Sequence, residues 1–151
     1  NDDEAAAQIM LAANYGGRAI NIAQTTAPHA MSYKITSMYK LPHGHAVAVC
    51  LPEIWQYMIG HMEKCIDVRG QEFLADIFNK IAVAMDCETP VDAIALFRRM
   101  MKEMELGNPV AKNREEELEA LSTSVNPVRL KNNPVGIDLI TAKHLYVISI
   151  K

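Results

Sequence analysis

What most limits the fold of this chain is a three-and-four spacing of apolar side chains, repeated in segment after segment and cut each time by proline or glycine. Residues at i, i+3, i+4 and i+7 share one face of an α-helix, so the pattern describes amphipathic helices that each bury a stripe. From Asp3 to about Ala23 the spacing is kept by Ala6, Ile9, Met10, Ala13, Ala19, Ile20 and Ala23. Thr25-Thr26-Ala27-Pro28 then offers hydroxyl caps and a first-turn proline, predicting a second helix from near Pro28 towards Tyr39 that Leu41-Pro42 stops. The apolar run from Ala46 to Met62 predicts a buried helix, with Pro52 a candidate kink.

Farther along, Phe73, Leu74, Ile77, Phe78, Ile81 and Met85 fall on one helical face, and Thr89-Pro90 opens a further helix that Gly107-Asn108-Pro109 closes. Arg114 to Ser122 predicts a short amphipathic helix whose acidic run, Glu115 to Glu117, is solvated, and a last short helix is expected from Asp138 or Thr141. The pair Gly16-Gly17, costly inside a helix, either bends it or suits close approach of another backbone. Met58, Met62, Met85, Met100, Met101 and Met104 read as core filler. No segment alternates as a strand does, so the expected fold class is all-α, a helical bundle forming one domain over residues 1–151.

At 151 residues with 50% hydrophobic content, the chain is long enough to bury a core. A net charge of -3 without a cluster of Lys and Arg gives no reason to expect nucleic acid or an anionic membrane as partner. No apolar run reaches the roughly 18 to 20 residues that span a bilayer, and the start, NDDEAAAQ, is acidic where a signal peptide is basic. Cys50, Cys65 and Cys87 are odd in number and lack CxxC spacing, which suits a reducing cytoplasm better than a disulfide framework or a thiolate zinc site. The chain has no initiator Met and enters a helical pattern almost at once, so we expect it to be part of a longer protein. Apolar faces that a lost domain once covered would then favour self-association, so a homo-oligomer is expected.

Four of the five histidines lie between positions 29 and 61. His29 follows the proline of a helix start, and His43 follows the proline that ends the same helix, 14 residues later. On one straight helix the two would stand about 21 Å apart, so a shared metal requires the chain to double back, which Pro42 permits. The spacing permits this without demanding it: capping, packing or surface roles fit the same residues, and two histidines alone are not a metal site. His45, His61 and His144 have no ligand-like company and read as structural.

The segment from His29-Ala30-Met31-Ser32 through Leu41-Pro42-His43-Gly44-His45 to Leu51-Pro52 resembles the signature of the iron-containing alcohol dehydrogenase family: His-Ala-Met-Ala-His, then Pro-His-Gly, then a helix reaching Leu-Pro. The resemblance extends over nearly the whole chain, to Asn132-Asn133-Pro134. It implies the helical, metal-binding C-terminal domain of an NAD(P)-linked dehydrogenase, in which one Asp and three His hold a divalent metal, usually Fe2+ and sometimes Zn2+. His29 and His43 match the last two ligands. The Asp-x-x-x-His pair for the other two, and the glycine-rich cofactor loop, are not in this sequence and are expected upstream of Asn1. By itself the chain is therefore expected to hold metal weakly, to bind no NAD(P) and to be inactive.

The family commonly has His where this chain has Tyr33, at the position near the nicotinamide, which makes Tyr33 a candidate catalytic residue for hydrogen bonding or proton transfer, or else an inert wall. TTAPHAMSYK followed by LPHGHAVAVCLP looks most like the branch containing hydroxyethylphosphonate dehydrogenases, which resemble phosphonoacetaldehyde reductases. That implies a small aldehyde or alcohol substrate, with Lys34 as a candidate ligand for its charged end; Arg129 and Lys131 are further cations to consider. HGHAVAV is also similar to the His-Gly-Glu-Ala-Val-Ala of dehydroquinate synthases, though the Glu is missing, and a non-catalytic helical interaction domain is the remaining alternative.

Overall fold

The computed structural model describes residues 2–151, and among them it contains eight α-helices and one 3-10 turn. They are α1 (Asp3–Ile22), α2 (Ala27–Tyr39), α3 (His43–Gly60), the 3-10 turn (Met62–Lys64), α4 (Gln71–Ala84), α5 (Pro90–Glu103), α6 (Arg114–Ser124), α7 (Pro127–Leu130) and α8 (Leu139–Ser149). The all-α expectation holds. The one piece of extended pairing is an isolated antiparallel bridge between Cys65 and Val135, closed by Ile66 N–H to the Pro134 carbonyl and Gly136 N–H to the Lys64 carbonyl, both at 2.9 Å. No helix is long and apolar enough to cross a membrane among the described residues.

The organising helix is α3, which packs against α2, α5 and α8. Its sequence explains that place: Ala46, Val49, Cys50, Ile54, Trp55 and Met58 are all buried, a spread around the helix that only an element covered on several sides can carry. Pro52 is also buried, and the helix continues through it. Burial pushes the Cys50 thiol up to about 12, so it behaves as a small apolar side chain. Around α3 the core is completed by Met31 and Ile35 of α2, Ile94 of α5, Leu121 of α6, and Leu145 and Tyr146 of α8.

Helix ends are set by local chemistry. Thr89 and Asp92 form a reciprocal capping box on α5, with Pro90 in its first turn. Asp138 accepts from Thr141 N–H at 2.7 Å at the start of α8, and the far end of α8 is held by Arg114, which donates to the Ile150 and Val147 carbonyls at 2.9 and 2.7 Å.

Four details differ from the sequence reading. Met58 and Met101 are buried and Met62 and Met85 pack partly, but Met100 and Met104 stand in solvent because the buried stripe of α5 runs through Ala93, Ile94 and Met101. Ile81 is likewise exposed on α4. Glu117 is not simply solvated: it accepts from Lys112 N–H, Asn113 N–H and the Tyr39 hydroxyl, because the chain before α6 folds back onto it. Finally, a Cβ placed on Gly16 or Gly17 would meet nothing, so no backbone approaches that pair within the described chain. No residue of α1 is buried, and Ile9, Met10, Tyr15 and Ile20 present their side chains to solvent.

Candidate metal centre

The site is built on the α2–α3 connection. Thr26 and Pro28 start α2 and place His29 in its first turn, half-buried, with Ser32 Oγ donating to its backbone carbonyl at 2.9 Å. The helix ends at Tyr39, and Lys40 takes the left-handed conformation at φ 57°, which reverses the chain within Leu41-Pro42. His43 is thereby the first residue of α3. From His29 to Tyr39 α2 rises about 15 Å, and three linking residues return up to about 11 Å of it; the two side chains close the remainder.

The outcome is an edge-to-ring pair of imidazoles, centroids 5.5 Å apart with 64° between their planes. Two imidazole nitrogens on one tetrahedral cation at about 2.0–2.1 Å place their ring centroids about 5 Å apart, a spacing close to that of this pair. Burial, and then the neighbouring His43, lower the pKa of His29, favouring the neutral ring that a metal ligand must be. Two rings make half of a tetrahedral set, and no group of three or more His, Cys, Asp or Glu side chains is gathered among the described residues.

Tyr33, one helical turn after His29, stacks on His43 at 5.5 Å and 21°. Its hydroxyl accepts a 2.7 Å hydrogen bond from Arg129, whose guanidinium carbon lies 4.9 Å from the phenol ring centre. The structure therefore brings His29, His43 and Tyr33 together as one row and adds Arg129 to its end. Lys34, half-buried on the next position of α2, lines a cavity of about 360 Å³ together with Tyr33, Ser37, Asn126 and Arg129. Lys131 does not line it.

The placement of Arg129 was beyond the reach of sequence reasoning, being a contact across 96 residues. The local signal that prepares it is Asn126-Pro127, where Asn126 caps the one-turn α7 by accepting from Val128 N–H at 2.9 Å. The other histidines lie elsewhere. His45 Nε2 donates to the Gly107 carbonyl at 2.9 Å, His61 stacks on Tyr57 and donates through Nδ1 to the Tyr57 carbonyl at 2.9 Å, and His144 is exposed on α8.

Known proteins are similar to parts of this chain. The phosphonoacetaldehyde reductase of Streptomyces viridochromogenes is 37% identical over 87 residues, covering 54% of this chain and 22% of that protein. The 1,3-propanediol dehydrogenase of Citrobacter freundii is 34% identical over 80 residues, covering 52% of the chain and 20% of that protein. A protein named as a probable mitochondrial hydroxyacid-oxoacid transhydrogenase, from Dictyostelium discoideum, is 35% identical over 71 residues, covering 38% and 13%. The chain thus spans about a fifth or less of the length of the relatives it matches. No solved structure matches it. The family model described as Fe-containing alcohol dehydrogenase family, C-terminal, matches residues 1–146, and the chain belongs to that family.

Proposed function

We propose that this chain is the helical, metal-binding part of a metal-dependent, NAD(P)-linked alcohol dehydrogenase or aldehyde reductase, acting on a small aldehyde such as phosphonoacetaldehyde. The observation that carries the proposal is the His29–His43 pair, 5.5 Å apart at the junction of α2 and α3. Family membership and the names of the relatives support the reaction class.

In this reading His29 and His43 are two of the ligands of Fe2+ or Zn2+, with the other ligands and the cofactor loop supplied by a further part of the protein. A bound divalent cation supplies Lewis acidity that favours charge on a substrate oxygen, and NAD(P) supplies or accepts the hydride. The chain's own residues bind and orient. The two imidazoles hold their geometry because α2 and α3 are fastened to each other through a three-residue turn. Tyr33 walls one side of His43; because its oxygen accepts from Arg129, its own O–H proton is free to be donated to a substrate oxygen. Lys34 is the cation for the charged end of the substrate.

The direct test is a titration of the chain with Zn2+ or Co2+, followed by NMR of the imidazole signals. Simultaneous perturbation of His29 and His43, with His45, His61 and His144 unmoved, supports a shared ion. Perturbation of all five histidines alike, or of neither ring of the pair, sinks the metal reading. The exposed apolar side chains of α1 offer a surface for self-association of the chain, which sedimentation over a range of concentrations tests.

A further inference from the structure

The cavity between α2 and α7 has a chemistry of its own. Two cationic side chains, Lys34 and Arg129, line it with the Ser37 hydroxyl, the Asn126 amide and the edge of Tyr33, and no carboxylate is among its lining residues. Neither cation has an acidic partner among the ion pairs of the described residues, which join Arg69 to Asp67, Lys80 to Asp76, Arg98 to Glu53 and Lys143 to Glu119. Surface cations left without a carboxylate beside them, on one concavity with neutral donors, form a receptor for an oxyanion.

Arg129 is prepared for that role. One of its N–H groups is spent on the Tyr33 hydroxyl at 2.7 Å, and its guanidinium carbon lies 4.9 Å from the centre of the ring. A guanidinium has five N–H donors, so four remain, and the contact with Tyr33 removes part of the rotamer freedom that an anion would otherwise have to restrict. The same Tyr33 ring stacks on His43. Arg129 is therefore no farther from the His43 ring than the two contacts laid end to end, one phenol ring serving as the spacer between them.

We propose that Lys34 and Arg129 form an oxyanion subsite, with Arg129 the residue that selects substrates whose phosphonate or carboxylate lies only a few bonds from the reacting oxygen. This rests on the reading of His29 and His43 as the centre of reaction and adds to it Arg129, held in place by Tyr33, as the residue that sorts short anionic substrates from neutral ones. It also assigns Tyr33 a second task, since its hydroxyl positions the guanidinium through the 2.7 Å bond.

The test needs neither metal nor nicotinamide. The chain is titrated with methylphosphonate and, separately, with inorganic phosphate, at constant ionic strength, following backbone amide signals of residues 33–37 and 126–130 by NMR. Expected is saturable binding in the millimolar range, weakened about tenfold in Arg129→Gln and similarly in Lys34→Gln, as for loss of a hydrogen bond to a charged group. Tyr33→Phe is expected to weaken it less, by loosening Arg129. Circular dichroism of each variant confirms the fold, which is expected to survive because Arg129 is exposed and Lys34 half-exposed. Tighter binding of methylphosphonate than of phosphate favours the substrate's anionic end as occupant; tighter binding of phosphate overturns substrate selection. Non-saturable shifts, or equal affinity in the wild type and both cation variants, overturn the subsite. The metal titration is independent of these outcomes, so either proposal can fail while the other stands.

Discussion

Tyr33 lies against His43 at 5.5 Å, ring on ring, while His29 meets the same imidazole edge-on at the same distance. One histidine at the first position of α3 is thus clasped by two residues a helical turn apart on α2. The connection between those helices fixes all three, which is why substitutions there are expected to act on ligand geometry before they act on stability.

For the metal, His43→Ala is expected to weaken Zn2+ or Co2+ binding by the chain at least about tenfold, since one ring must then serve where two did. Isothermal titration beside the wild type measures it. The same affinity in the variant places the ion elsewhere. The chain alone is expected to give no oxidation of NADH or NADPH with small aldehydes, followed by absorbance; robust turnover by it contradicts the assignment of the cofactor site to another part of the protein.

For the core, Tyr146 is fully buried and its hydroxyl donates to the Met31 carbonyl at 2.8 Å, tying α8 to α2 beneath the site. Tyr146→Phe is expected to lower stability by about 1–2 kcal/mol, the cost of losing one buried hydrogen bond. Tyr146→Ala, which adds a cavity, should cost about 3–5 kcal/mol. Urea denaturation measures both, and a neutral Tyr146→Phe would show that the bond contributes nothing net.

A pH dependence follows from Glu117. Its pKa is lowered by the Asn113 backbone N–H and then by the Tyr39 hydroxyl, which donates to it at 2.7 Å. A carboxylate lowered on folding stabilises the fold above its ordinary value of 4.5, and this contribution disappears as the pH falls through the lowered value. The gap in stability between wild type and Glu117→Gln should therefore be wide near neutrality and shrink in acid, read from urea midpoints at about pH 7 and about pH 3. A gap independent of pH rules out the carboxylate charge as its source.

At the start of α5, Thr89→Ala removes the acceptor for Asp92 N–H, leaving that donor to water. A loss of about 1 kcal/mol is expected, and Thr89→Ser should recover most of it. Thermal unfolding of the three proteins decides; equal midpoints mean that the capping box is dispensable.

Much of this was already present in the order of the residues. Helix positions depend on neighbours three and four apart and on capping residues next door, so Thr26-Ala27-Pro28, Leu41-Pro42, Thr89-Pro90 and Asp138 marked where α2, α3, α5 and α8 begin or end. His29 and His43 were also legible as a pair, because the family's motif keeps both and a proline turn lies between them. The exposure of Met100, Met104 and Ile81 was not, since periodicity marks a stripe but not its width, and the width depends on which helices arrive to cover it.

Sequence by itself determined that this chain is helical and where it turns, and it singled out His29 and His43 as a candidate pair. Those properties are local, or are carried by a short contiguous motif. Only the tertiary structure decided that Arg129 reaches Tyr33 across 96 residues, that Glu117 takes the Tyr39 hydroxyl across 78, and that Lys34 faces a cavity free of carboxylates. Those contacts are set by how α6 and α7 pack on α2, and packing is settled by the whole core at once, which no short spacing records.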